Sequence, residues 1–259
     1  MSLATFPAVA DTVKVGGTGS GLGVMKILAD AYQASRPDTQ IMIVPSLGSS
    51  GGIKATGAGV LDIGLSGRPL KPAERAQRLT EREVARTPLV LASMRSHSGF
   101  TTQDLARIYD GTLKTWPDGS ALRPVIRPES DSETKLLRAI SPEVDRALTI
   151  ARARPGVHVA VTDQDSADAI EQIPSALGTT TLALILAEQR AIKALPLNGV
   201  APSVAALANR SYPLFKPLYA VMPQNPSEAA RGFIAFIQSA QGARILSDNG
   251  YLPLKSAGK

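Results

Sequence analysis

Cysteine is absent from all 259 residues, which excludes disulfides and thiolate metal sites. That suits an oxidising compartment without requiring one. Histidine is nearly absent too: His97 and His158 are the only two, and neither has a ligand partner at helical spacing, so metal-assisted hydrolysis is disfavoured. Aromatic residues make up 4% of the chain. Together with the lack of any Lys/Arg-rich octamer, this leaves no stacking platform, and no nucleic-acid partner is expected despite a net charge of +6. The longest apolar run, "TLALILA" (Thr181 to Ala187), falls far short of the ~18–20 residues of a membrane span. The first fifteen residues lack a basic segment followed by an apolar one. "MSL" reads as residues added in cloning, with an export signal expected to have been removed.

What is present is ordinary for a globular protein: 44% hydrophobic and 19% charged residues. Short apolar runs alternate with helical patterns. "TVKV" (Thr12 to Val15), "IMIV" (Ile41 to Val44), "LDIGLS" (Leu61 to Ser66) and "PLVLAS" (Pro88 to Ser93) read as strands. "LGVMKILADAYQASR" reads as a helix burying Leu22, Met25, Leu28, Ala29 and Tyr32. A second, shorter helix is expected around Ile53 to Thr56. This alternation predicts a parallel α/β sheet. Further on, Thr101/Asp104 and Ser130/Glu133 have capping-box spacing, and Ser141 precedes Pro142 at a helix start. "VHVAVTD" reads as a strand and "YPLFKPLYAVM" (Tyr212 to Met222) as a long extended run. The stretch from Asn225 is expected to form one helix ending at Gly242.

The informative feature is glycine and hydroxyl enrichment at three strand-to-helix junctions: Gly16 to Gly21, Gly48 to Gly52, and Arg127 to Thr134. Gly48 to Gly52 fits G-x-S-x-G, which would make Ser50 a hydrolase nucleophile with His158 as its base. A Gly/Ser-rich turn satisfies that pattern easily, and no HGGG-type oxyanion motif accompanies it. No register of "VGGTGSGLG" gives G-x-G-x-x-G or a Walker sequence. Capture of a small oxoanion without chemistry remains: helix N-termini, bare glycine backbone and hydroxyls supply donors, and one arginine can fork two oxygens. Thr18, Ser49 and Ser130 could equally be plain N-caps.

The stretches "GGTGSGLGVMKILADAY", "GSSGGIKATGAGVLDIGLSGRPL", "NGVAPSVAALANRSYPLFKPLYAVM" and "GFIAFIQSAQGARILSDNGYLPL" together resemble the phosphate-binding receptors of ABC transporters. The resemblance implies an α/β type II periplasmic binding protein fold: two α/β lobes joined by two crossover strands, with a ligand cleft between them. Lobe I would comprise residues 9–91 and 211–259, lobe II residues 92–210, and the crossings Thr87 to Leu91 and Pro213 to Val221. It implies a monomeric, periplasmic, non-enzymatic receptor that binds phosphate or a related oxoanion, hands it to an ABC permease and needs no metal or organic cofactor. A ligand-sensing role on the same fold and the Ser50 hydrolase stay as alternatives.

Ligand contacts implied by the resemblance fall on Thr18, Gly19 and Ser20, on Ser49, Ser50 and Gly51, on Ser66, and on Arg127, Ser130, Ser132 and Thr134. Two departures from the family pattern stand out. "RPESDSET" lacks the usual glycines and is one residue longer between Arg127 and Thr134. Gly67 stands where many relatives have an aspartate that accepts the ligand's proton. Asp131 is a candidate for that task, against the plainer reading of a solvated first-turn residue. Arg68 is a further possible source of positive charge.

Overall fold

A computed structural model describes residues 11–254 of the protein. The reading of the N-terminal leader and the expected outermost residues of lobe I, 9–10 and 255–259, lie outside the described residues.

Ten strands are described: β1 Asp11–Gly17, β2 Thr39–Ile43, β3 Ile63–Ser66, β4 Leu79–Ser93, β5 Arg123–Ile126, β6 His158–Val159, β7 Ala176–Thr181, β8 Lys193–Leu195, β9 Phe215–Pro223 and β10 Leu252–Pro253. Their order runs β2-β1-β3-β9-β4-β7-β5-β6, with β8 and β10 pairing to β4 off that path. Pairing is parallel on both flanks, β2-β1-β3 and β7-β5-β6, as the alternation of strand and helix predicts. It is antiparallel wherever β4 or β9 takes part. The all-parallel expectation is therefore corrected at the centre of the molecule. There two long strands run from one half to the other, and the second returns against the first.

β4 makes the passage in one piece. Leu79 to Pro88 pair with β9, and from Leu89 onward the same strand pairs with β7 and β8. Its polar first half, "LTEREVART", gives no apolar signal, so the sequence shows only the end of the strand. Two principal cores lie to either side. One gathers Val15, Met25, Leu28, Leu65, Leu218, Phe233 and Tyr251; the other gathers Leu91, Leu105, Tyr109, Trp116, Leu148 and Tyr212. Two α/β lobes joined by two crossing strands is the observed architecture.

Several local expectations shift. The second helix spans Gly48–Gly57, so the glycine-serine turn is itself the first turn of the helix. Gly52 permits this: a Cβ there would lie 2.6 Å from Gly17 Cα and 3.0 Å from the Leu65 carbonyl oxygen. Only a bare backbone lets this helix seat directly on β1 and β3. The stretch after Asn225 forms two helices, Glu228–Ile237 and Ala240–Asp248, because Ser239 caps a new start by accepting from the Gly242 amide at 3.1 Å. Gly242 is thus inside a helix and does not close one. The expected strand around His158 shrinks to two exposed residues.

Candidate functional site

The chain places all three junctions on the two sides of one cleft. A cavity of about 280 Å³ is lined by Ser46 to Gly51 and Arg68 from the first lobe, and by Pro128, Ser130, Asp131, Ser132, Val161 and Thr162 from the second. Two hollows of about 770 Å³ each are larger, but neither is lined by residues of the Gly48 to Gly52 or Arg127 to Thr134 junctions.

Capping does not consume the expected hydroxyls. Thr18 flanks a short 3₁₀ turn, Gly19–Gly21, with no side-chain cap bond. Ser49 lies within its helix, and its hydroxyl accepts from the Gly67 amide at 2.8 Å. Ser130 is not the cap it resembles. Asp131 takes that place, its Oδ1 accepting from the Glu133 amide at 2.8 Å at the start of the helix Ser132–Arg138. An aspartate oxygen competes well for that amide, and the Ser130 side chain is left at the cavity wall.

Arg127 is the buried cation expected, 3% exposed. It donates through Nη1 to the Ala160 carbonyl at 2.9 Å and through Nη2 to Asp131 Oδ2 at 3.0 Å. Its Nε is buried with no partner among the described residues. Asp131 is mostly buried, its side chain 14% exposed at the cavity, and each oxygen already accepts one hydrogen bond, one from the Glu133 amide and one from Arg127. Burial works against the Arg127 charge, yet Glu133, Asp163 and Asp131 outweigh it and raise its proton affinity.

The remaining expected residues divide. Thr18 Oγ1 lies 3.2 Å from Ser20 Oγ and donates to Asp163 Oδ2 at 3.3 Å, across the cleft. The Gly19 carbonyl accepts from Gln164 Nε2 at 3.0 Å, a second link between the sides. The Ser66 hydroxyl turns to its own loop, donating to the Arg68 carbonyl at 2.7 Å. Thr134 Oγ1 faces the carbonyls of Pro128 at 2.9 Å and Arg127 at 3.2 Å. These two side chains brace loops rather than face the cavity. Arg68 gives its charge to Glu74 at 2.7 Å, and hydrogen bonding to it holds that carboxyl down at about 2.

Ser50 Oγ accepts from Arg68 Nη2 at 3.2 Å. His97 is stacked on Phe100 with ring centroids 4.5 Å apart, and His158 sits in strand pairing with Val125. The serine has no imidazole beside it, so the nucleophile reading lacks its base.

Three buried residues to which the sequence assigned no ligand role lie beneath the cleft. Lys216, on β9 and 1% exposed, donates to Asp163 Oδ1 at 2.7 Å and to Glu133 Oε1 at 2.9 Å. Both carboxylates are buried as deeply, and Thr179 Oγ1 lies 3.4 Å from Glu133 Oε2. Burial pushes the Glu133 carboxyl up to about 7; Lys216 opposes the rise and Asp163 adds to it. Burial would raise Asp163 likewise, but Lys216 and Arg127 overcome it and hold this carboxyl well below the usual range. A lone lysine within the apolar run "YPLFKPLYAVM" was the available signal, since a buried lysine needs paired acids.

Gly67 ties floor to wall. A Cβ there would meet Lys216 Cε at 2.8 Å, Ser132 Oγ at 2.9 Å and Ser49 Oγ at 3.4 Å. The two lobes and a crossing strand therefore converge on one point, and a side chain at position 67 would fill it.

Residues 4–241 match the family model described as a PBP superfamily domain. The chain is 32% identical over 111 residues to the phosphate-binding protein PstS 2 of Streptococcus pneumoniae, a match covering 43% of this chain and 34% of that protein. The chain thus spans about a third of the length of the curated relatives it matches. Among solved structures, a putative phosphate ABC transporter substrate-binding protein from Clostridium perfringens, with bound phosphate, superposes with a TM-score of 0.80 at 24% identity, over 95% of this chain and all (100%) of that one. An ABC-type phosphate transport receptor from Vibrio cholerae gives a TM-score of 0.66 at 19% identity, over 93% and 100% of the two chains. These likenesses establish the type II periplasmic binding protein fold.

Proposed function

Since the chain belongs to the PBP superfamily, we propose that it is a non-catalytic receptor for inorganic phosphate or a closely similar tetrahedral oxoanion. The observation that carries this is the convergence of Ser49, Ser132 and Lys216 on Gly67, beside the buried Arg127. The first turn of the ten-residue helix Gly48–Gly57 opens on the same cavity, adding unpaired amides and a positive dipole end. Hydroxyls and amides of this kind bind an oxoanion without reacting with it. A cavity of about 280 Å³ suits a ligand of a few heavy atoms.

The division into lobes at residues 9–91 with 211–259 and 92–210 belongs to the same reading. The two main cores follow it except near the crossings: Leu89, Leu91, Tyr212 and Leu214 pack into the second core, and Ala183 and Ala187 pack into or against the first. On this reading Thr18, Gly19, Ser20, Ser49, Ser50, Gly51, Arg127, Ser130 and Ser132 contact the ligand, while Ser66, Asp131 and Thr134 position the loops that carry them. The receptor acts outside the cytoplasm as a monomer, its export signal removed, and delivers its ligand to an ABC permease. The names of its relatives support that setting, and among the described residues no helix is long and apolar enough to cross a membrane.

Equilibrium dialysis with radiolabelled phosphate tests the reading. The protein retains phosphate, and Arg127→Met and Ser132→Ala each weaken retention at least tenfold, the loss of one charge-assisted or buried hydrogen bond being about 1.5–3 kcal/mol. Unchanged retention in both variants refutes this cleft as the site.

A further inference from the structure

The floor of the cleft carries more negative than positive charge. Two cations, Lys216 and Arg127, face three carboxylates, Asp131, Glu133 and Asp163. Lys216, Arg127, Glu133 and Asp163 are nearly excluded from water, and Asp131 stands at the cavity edge with its side chain 14% exposed. An anion arriving at the Ser49–Ser132–Lys216 point would add a further negative charge there, and at low dielectric that repulsion is severe. The site must gain a proton, lose a carboxylate contact, or bind nothing.

The three carboxylates are not equivalent. Asp131 is fixed by the Glu133 amide at 2.8 Å and by Arg127 at 3.0 Å. Asp163 holds the shorter contact with Lys216, 2.7 Å, and receives Thr18 Oγ1. Glu133 has the weakest support. Its Oε1 takes the longer lysine contact at 2.9 Å, its Oε2 meets Thr179 Oγ1 at 3.4 Å, and the neighbouring Asp163 carboxylate can accept a hydrogen bond from a protonated Glu133. A hydroxyl accepts as readily as it donates, so Oε2 can carry a proton and donate it to Thr179.

We propose that Glu133 is the proton-accepting group of the cleft: binding of an oxoanion takes one proton from solvent onto Glu133 Oε2, so that Lys216 serves the anion. This rests on the receptor reading given above and adds its coupling to pH. Charged and titratable groups from four elements surround Glu133. Lys216 comes from β9, Asp163 from the helix Asp163–Gln172, Arg127 and Asp131 from the loop after β5, and the Tyr109 hydroxyl, itself pushed up by burial and by Glu133, from the helix Thr102–Asp110. Arg152 touches the outer side of that loop, at the Arg127 carbonyl, and pairs with Glu129. With Glu133 raised to about 7 before any anion arrives, an adjacent anion raises it further. Binding above neutrality therefore consumes a proton, and affinity falls about tenfold per pH unit there. Gly67 keeps the convergence point clear of a competing side chain.

The test is calorimetric titration of the whole protein with inorganic phosphate at about pH 8, in buffers of different ionisation enthalpy. Wild type and Glu133→Gln are compared, so that protonation of phosphate itself cancels. Wild type takes up about one more proton per phosphate than the variant, and its affinity falls more steeply with pH. Equal uptake and parallel pH dependence overturn the proposal while leaving the receptor reading intact. No phosphate binding at any pH removes both. Should Glu133→Gln fail to fold, the infrared difference spectrum of wild type decides: a protonated-carboxyl band appears on adding phosphate, and its absence refutes the proposal.

Discussion

Lys216 is the residue on which the cleft turns. Removing its charge strands two buried carboxylates, so Lys216→Met is expected to destabilise the protein by about 3–5 kcal/mol, read from urea unfolding. The partner Glu133 acts in the opposite sense at high pH. Its folded-state carboxyl lies above its ordinary value, up to about 7 against 4.5. Its contribution to stability is thus fully present below about pH 4.5 and is lost as pH rises through 7. Glu133→Gln should therefore gain on wild type between pH 4.5 and 8, and unfolding midpoints at those two values check it; a constant difference would contradict the assignment. Ser49 offers a milder perturbation. Ser49→Ala leaves the buried Gly67 amide without its 2.8 Å acceptor, costing about 1–3 kcal/mol and at least a tenfold loss of phosphate affinity. Ser50, exposed at the cavity and bonded to Arg68, holds no buried amide, so Ser50→Ala should weaken phosphate binding less than Ser49→Ala, by about threefold to tenfold, without loss of stability.

The helix Gly48–Gly57 delivers the first-lobe side of the cleft, and glycine at its centre sets how close it sits. Gly52→Ala would bring a Cβ to 2.6 Å from Gly17 Cα, a backbone contact that cannot yield by side-chain rotation. The helix must lift from β1 and β3, with an expected cost of about 1–3 kcal/mol and weaker phosphate binding. Thermal melts and dialysis on the one variant would check both. Such close packing is what made this element legible only in part. Its glycines and serines marked a special turn in the sequence, but nothing local told a loop from a helix. The helix Leu22–Ser35, by contrast, was read almost residue for residue, because its apolar spacing is set by one continuous core. The same contrast runs through the site. Arg127, Ser49 and Ser132 were legible from junction chemistry. Asp163 and Lys216 were not, because they lie 53 residues apart in sequence and meet only through the crossing strand. Asp131 was legible as a charged first-turn residue but not as the cap and arginine brace it is, since Ser130 presented the commoner spacing.

At the scale of the molecule, two lobes share the continuous strands β4 and β9, and their cleft is spanned by side chains of both. Thr18 to Asp163 and Gln164 to the Gly19 carbonyl already cross it. Ligand binding between lobes links affinity to stability: phosphate at a thousandfold excess over Kd should stabilise the folded protein by about 4 kcal/mol. The PBP superfamily membership and the fold are established, and the chemistry of the cleft points to a small oxoanion. The most direct measurement is calorimetric titration of refolded, ligand-stripped protein with phosphate, and then with sulfate, molybdate and tungstate. Micromolar or tighter binding of phosphate, weakened at least tenfold by Arg127→Met, is the expected result. Heat from none of the four anions, in a protein shown to be folded, would contradict an oxoanion receptor.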